Sequence, residues 1–130
     1  MLVYISGKIN DNPNFREDFT RAEMWLKLKN LKAINPVKVC AELPELTYEQ
    51  YLKIDYNLID LASAVFMIKG WQNSRGARAE LAYAKSLNKQ IMYEEHFKDF
   101  NPKRGRKSDE DRFKFKREDI EIPSREEIEC

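Results

Sequence analysis

Ala64-Val65-Phe66-Met67-Ile68 is an unbroken apolar run of strand length. A half-exposed strand alternates apolar with polar residues, so a run that is apolar at every position predicts a strand covered on both faces, as in a parallel sheet between helices. The flanking sequence supplies those helices. Upstream, Thr47-Tyr48-Glu49-Gln50 has capping-box form and opens a helix to about Ala62, with Tyr48, Tyr51, Leu52, Leu58, Ile59 and Ala62 as its apolar stripe. Downstream, Gly70-Trp71-Gln72-Asn73 is a loop, Ser74 is placed to cap a helix through about Asn88, and Gln90-Ile91-Met92-Tyr93 reads as a further strand.

The amino-terminal part has the same rhythm. Leu2-Val3-Tyr4-Ile5 is a short β-prone run that enters a turn at Ser6-Gly7-Lys8, and Phe15, Phe19, Ala22 and Leu26 then recur at helical spacing. Ala33-Ile34-Asn35 is a brief second strand, stopped by Pro36, which has no amide to give a ladder. Strands alternating with helices over about 95 residues predict right-handed crossovers and a small doubly wound α/β domain, with a parallel sheet of about four to five strands and helices on both faces. Ligands of such sheets bind beyond the carboxyl ends of the strands, where the chain order reverses. The loops after strands one and three, Ser6-Gly7-Lys8 and Gly70 to Ser74, are therefore expected side by side.

Composition narrows the function. The 130 residues suit one domain, and 35% of them are charged against an average of about 25%, so a modest core lies under an ionic surface. Lys plus Arg number 23 and Asp plus Glu 22, a net charge of +1 that supplies no global field for nucleic acid or anionic membrane. No apolar stretch approaches the ~18 residues of a membrane span, and Met1 to Ser6 is too short for a secretory core, so a soluble cytoplasmic protein is expected. The two cysteines, Cys40 and Cys130, are expected as reduced thiols. A single histidine, His96, leaves no basis for a His-rich zinc site, and no metal or cofactor is expected; carboxylates would carry any catalysis.

Residues 1–95 are read as the α/β domain and 96–130 as a charged extension, a candidate oligomerisation arm. Residues 101–130 hold nine Lys/Arg and nine Asp/Glu, with Phe113, Phe115, Ile120 and Ile122 alternating in pairs. Lys103 to Lys107 is basic enough to touch phosphate, but an acidic run follows at once, and a solvated linker is the plainer reading.

Two carboxylates stand where apolar residues belong. Asp55 interrupts the stripe between Leu52 and Leu58, and Glu80 shares a small apolar face with Gly76, Tyr83 and Leu87 near the start of its helix. Conflicts of this kind concentrate at functional sites. The plainer readings are an ion pair or a loop cap for Asp55, and a favourable carboxylate near a helix start for Glu80. Ser74-Arg75-Gly76 and Ser6-Gly7-Lys8 each offer backbone amides, a hydroxyl and a cation suited to an anion. Tyr4 has either a place in the crevice or a core role, and Trp71 either stacks on a base or packs on the sheet.

Taken in order, Tyr4-Ile5-Ser6-Gly7-Lys8-Ile9, Asn35-Pro36, the Tyr51/Asp55 pair and Gly70-Trp71-x-x-Ser74-Arg75-Gly76-Ala77-x-x-Glu80-x-x-x-Ala84 resemble the nucleoside 2-deoxyribosyltransferase-like superfamily, most of all its small bacterial and phage branch. The resemblance covers roughly residues 1–95. It implies a flavodoxin-like fold and cleavage or transfer at the N-glycosidic bond of a nucleoside or its 5′-monophosphate. Glu80 would be the nucleophile, Asp55 the residue that manages the proton of the departing base, and Tyr4 the tyrosine beside the nucleophile. Ser6, Gly7 and Lys8 would surround the sugar or its 5′ substituent, and Gly70, Trp71, Ser74, Arg75 and Gly76 would complete the substrate-binding set. Ser74 stands where the transferases carry aspartate, as in the nucleotide-hydrolysing branch, which favours a monophosphate or hydrolysis. Ser63 replaces an aspartate frequent before strand three. The resemblance further implies a homo-oligomer. A nucleotide-binding module without turnover and a glycohydrolase of NAD or another dinucleotide are the alternatives.

Overall fold

The structure, a computed structural model, describes residues 1–97. The arm expected at 101–130 lies outside them. The elements are β1 (Leu2–Ser6), α1 (Phe15–Leu28), β2 (Lys32–Ile34), α2 (Pro36–Cys40), α3 (Tyr48–Leu61), β3 (Ala64–Met67), α4 (Arg75–Ser86) and β4 (Gln90–Tyr93), with 3-10 turns at Trp71–Asn73 and Glu94–His96. The sheet has four strands in the order β2-β1-β3-β4, and every neighbouring pair is parallel. This is the doubly wound α/β architecture expected from the sequence.

Alternation along the two inner strands divides the core. Val3 and Ile5 of β1 with Ala64 and Phe66 of β3 pack against Phe15, Phe19, Ala22, Trp25 and Leu26 of α1 and Val37 of α2. Tyr4 of β1 with Val65 and Met67 of β3 face Ile59 of α3 and Ala77, Leu81 and Ala84 of α4. Side chains at i and i+2 share a face, so each strand sends successive residues to opposite layers, and both layers exclude water. That explains the unbroken apolar run at Ala64–Ile68, all of it buried.

The chain leaves β1 for β2 on one side and returns through β3 on the other, so the order reverses between β1 and β3. Their carboxyl ends lie very close there. The Ile68 amide donates to the Ser6 carbonyl at 2.8 Å, and a Cβ added to Gly7 would sit 2.9 Å from Ile68 Cδ1 and 3.0 Å from its Cβ. Only a residue without a side chain fits that approach.

The helix termini follow local chemistry. At α3 the capping box is complete: the Gln50 amide donates to Thr47 Oγ1 at 3.1 Å and the Thr47 amide to Gln50 Oε1 at 2.9 Å. At α4 the Ala77 amide donates to Ser74 Oγ at 3.1 Å. Helix α2 departs from expectation. Asn35 is its cap, accepting from the Val37 amide at 3.1 Å, and Pro36 starts the helix instead of only ending a strand. Proline suits the first helical position because its fixed φ is helical and its missing amide has no partner there. Cys40 is buried and disulfide-bonded, which overturns the reduced thiol expected there; Cys130 lies outside the described residues. No described helix is long and apolar enough to cross a membrane.

Candidate active site

Strand β1 and helices α3 and α4 converge on one carboxyl group. Tyr4 and Ser6, two residues apart on β1, both point to the α3/α4 layer. There the Ser6 hydroxyl donates to Glu80 Oε1 at 2.7 Å and the Tyr4 hydroxyl donates to the same oxygen at 3.2 Å. Glu80 lies in the second turn of α4 and is 4% exposed, while Tyr4 and Asp55 are fully buried. Asp55 reaches the group from the middle of α3, on the stripe it shares with Tyr51 and Ile59. The structure therefore unites Tyr4, Ser6, Asp55 and Glu80 beneath the switch point of the sheet.

The plainer readings of the two acids do not hold. Among the described residues Asp55 has no ion pair, and neither of its buried oxygens has a hydrogen-bond partner. Glu80 sits too far along α4 for the helix start to account for it, since that field fades within the first turn. What holds them is each other. Burial drives the Glu80 carboxyl well above the usual carboxylate range, and the nearby charge of Asp55 raises it further, against the opposing pull of the Ser6 and Tyr4 hydrogen bonds. Asp55 is pushed up to about 6 by burial, with the polar groups of Glu80 and Tyr4 nearby partly offsetting the rise. Tyr4 itself is raised by burial and by both carboxylates; its well-formed hydrogen bond goes to Glu80.

Two neighbouring buried carboxyls resist carrying two negative charges, so they titrate as a pair and one proton is held into the neutral range. Glu80 Oε1 accepts both hydroxyl hydrogen bonds, which fix the orientation of the carboxyl. One protonated and one ionised carboxyl, side by side, is the state that an acid and nucleophile pair requires.

A cleft of about 380 Å³ is lined by Gly7, Lys8, Ile9, Asn10, Asp11, Tyr48, Asn73, Ser74, Arg75 and Gly76. Its size falls in the range of small-molecule sites. Five of the residues expected to bind substrate are there: Gly7, Lys8, Ser74, Arg75 and Gly76. Asn12 holds the loop that carries Lys8, because its side-chain amide donates to the Lys8 carbonyl at 2.9 Å and to Asp18 Oδ2 at 3.0 Å. Gly70 and Trp71 are not among the lining residues. Gly70 takes a left-handed conformation, φ 95°, to start the 3-10 turn, and Trp71 packs on the sheet against Tyr93 with ring centroids 5.9 Å apart. Tyr51 ties down the approach to α3, accepting from the Leu46 amide at 3.3 Å.

Sequence reasoning missed Tyr48, Asn10 and Asp11 as cleft residues, while Asn73 belongs to the loop expected there. An aromatic in the first turn of an amphipathic helix reads as core, and the structure instead leaves Tyr48 half-buried with the Arg75 guanidinium over its ring, 4.3 Å from the centroid. Among the described residues no group of three or more acidic, histidine or cysteine side chains is disposed to hold a metal ion.

No curated protein matches the chain. A family described as "Domain of unknown function (DUF4406)" matches residues 1–93, the span that contains the whole sheet and every residue of the acid pair and the cleft. With most of its length matched, the chain belongs to the DUF4406 family.

Proposed function

We propose that this protein cleaves, or transfers at, the N-glycosidic bond of a 2′-deoxynucleoside or its 5′-monophosphate, with Glu80 as nucleophile and Asp55 as proton donor. The observation that carries this reading is the burial of two neighbouring carboxyls, Asp55 and Glu80, at the switch point, the second fixed by the hydroxyls of Ser6 and Tyr4. In the first step the proton on Glu80 passes to Asp55 as a Glu80 oxygen bonds to the anomeric carbon. The electron pair of the breaking C–N bond goes to the base nitrogen, which takes the proton relayed through Asp55. In the second step a water oxygen attacks the same carbon, its proton passes to the Asp55 carboxylate, and Glu80 departs ionised. The pair again holds one proton, as in retaining glycosidases. A second base in place of water gives transfer.

Lys8, Arg75 and the Ser74 end of α4 suit a 5′-phosphate, which joins the monophosphate reading to the cleft. The same reading carries a cytoplasmic homo-oligomer that acts on small molecules and not on nucleic acid. Incubation with each deoxynucleoside monophosphate, followed by chromatography for free base, tests it. Release by wild type and its loss in Glu80→Gln is the expected outcome; no release, or equal release by the variant, rejects the assignment. Binding without turnover is the second reading, favoured by the absence of Tyr4, Ser6, Asp55 and Glu80 from the cleft lining.

A further inference from the structure

Two of the cleft residues form a contact that the chemistry proposed above leaves unused. The guanidinium of Arg75 lies over the ring of Tyr48 at 4.3 Å. Arg75 is exposed and makes no ion pair among the described residues, so the aromatic face is its recorded partner. Beside the ring runs Gly76, whose missing Cβ would stand 3.9 Å from Tyr48 Cε1. The absence of a side chain there leaves the flank of the ring open. Tyr48 lies on α3, two turns before Asp55, and Gly76 lies one turn before Glu80 on α4. The ring and Gly76 thus belong to the amino-terminal ends of the two helices that carry the acids.

A planar, delocalised cation at this distance occupies the space that a flat heterocycle would take on the same face. The contact is also easy to exchange. An exposed cation–π contact is a weak attraction, whereas arginine binds phosphate with paired, charge-assisted hydrogen bonds. Lys8 places a second cation in the same cleft, and Asp11 is its one carboxylate. An entering phosphate therefore gives Arg75 a stronger partner than Tyr48.

We infer that Tyr48 is a stacking platform for the base of a nucleotide, covered by Arg75 until the phosphate of the same ligand draws the guanidinium away. The inference takes its ligand class from the function proposed above. It adds a specificity: base and phosphate are recognised jointly, because the phosphate uncovers the surface on which the base stacks. An unphosphorylated nucleoside has to displace Arg75 with no compensating anion.

Titration calorimetry with three probes tests this on the full chain: a deoxynucleoside 5′-monophosphate, the matching deoxynucleoside, and 2-deoxyribose 5-phosphate, which has no base. Tyr48→Leu is expected to weaken the monophosphate about tenfold or more and the base-free phosphate less than about twofold, while Tyr48→Phe behaves as wild type. Arg75→Ala, at an exposed position, is expected to weaken the monophosphate and to tighten the unphosphorylated nucleoside. Equal weakening of both phosphates by Tyr48→Leu, a weaker nucleoside in Arg75→Ala, or no binding of any probe to wild type would overturn the inference. Each sample is afterwards assayed for free base. The stacking pattern without base release removes the proposed turnover and leaves Tyr48 and Arg75 as assigned.

Discussion

Glu80 receives two hydroxyl donors on one oxygen, which is how a buried carboxyl is kept in a fixed orientation. The Ser6 bond, at 2.7 Å, is the shorter, and it favours the ionised form of Glu80. Ser6→Ala should therefore raise the titration of the pair and move the alkaline limb of base release upward by about one pH unit, measured in a pH–rate profile. The acid limb should fall near pH 6, where a second proton neutralises Asp55 and no carboxylate is left to attack. Glu80→Gln should lower base release on the order of a thousandfold or more, measured under single-turnover conditions. Asp55 and Glu80 were legible in the sequence because a carboxylate in an apolar stripe conflicts with its surroundings. Tyr48 was not, since an aromatic residue in such a stripe conflicts with nothing.

Among the elements, the turn after β1 is the most constrained. Gly7 admits no Cβ, because Ile68 Cβ at 3.0 Å belongs to a buried strand end and cannot swing aside as the tip of a flexible chain would. Gly7→Ala should cost about 1–3 kcal/mol in a chemical-denaturation experiment. It should also weaken ligand binding, since the same loop carries Lys8. Thr47→Ala, which removes the acceptor for the Gln50 amide, should cost about 1 kcal/mol by the same measurement. Helix α3 was readable to within a residue at each end because its start is written in side-chain chemistry. Helix α2 was not, because five residues give too little periodicity to register and Pro36 signals the end of a strand as readily as the start of a helix. Trp71 had two readings at the outset, and burial against Tyr93 corresponds to the packing one.

For the whole molecule, the buried acids set how stability changes with pH. Asp55, Glu80 and Glu94 all lie above their ordinary values in the folded protein, each chiefly through burial, so the folded state binds more protons than the unfolded chain from about pH 4 upward. Stability should fall as pH rises through 6, and Asp55→Asn should flatten that fall, by on the order of 2–3 kcal/mol at pH 8, followed by thermal melting at several pH values. Glu23 acts in the opposite sense. Burial raises it, but hydrogen bonds with Lys38, Asn35 and Lys27 more than offset that, and its contribution is lost as pH falls below the ordinary carboxylate range. That β1 and β3 are neighbours was expected from where such sheets bind ligands, whereas the full strand order and the layer each helix occupies emerged only from strand pairing and packing. Strand β2 forms one border of the sheet with only three residues, and Pro36 follows it after a single capping asparagine. A foreign polypeptide aligning on that border finds few free amides and then a residue that has none, so fibrillar growth by strand addition is blocked on this side of the molecule.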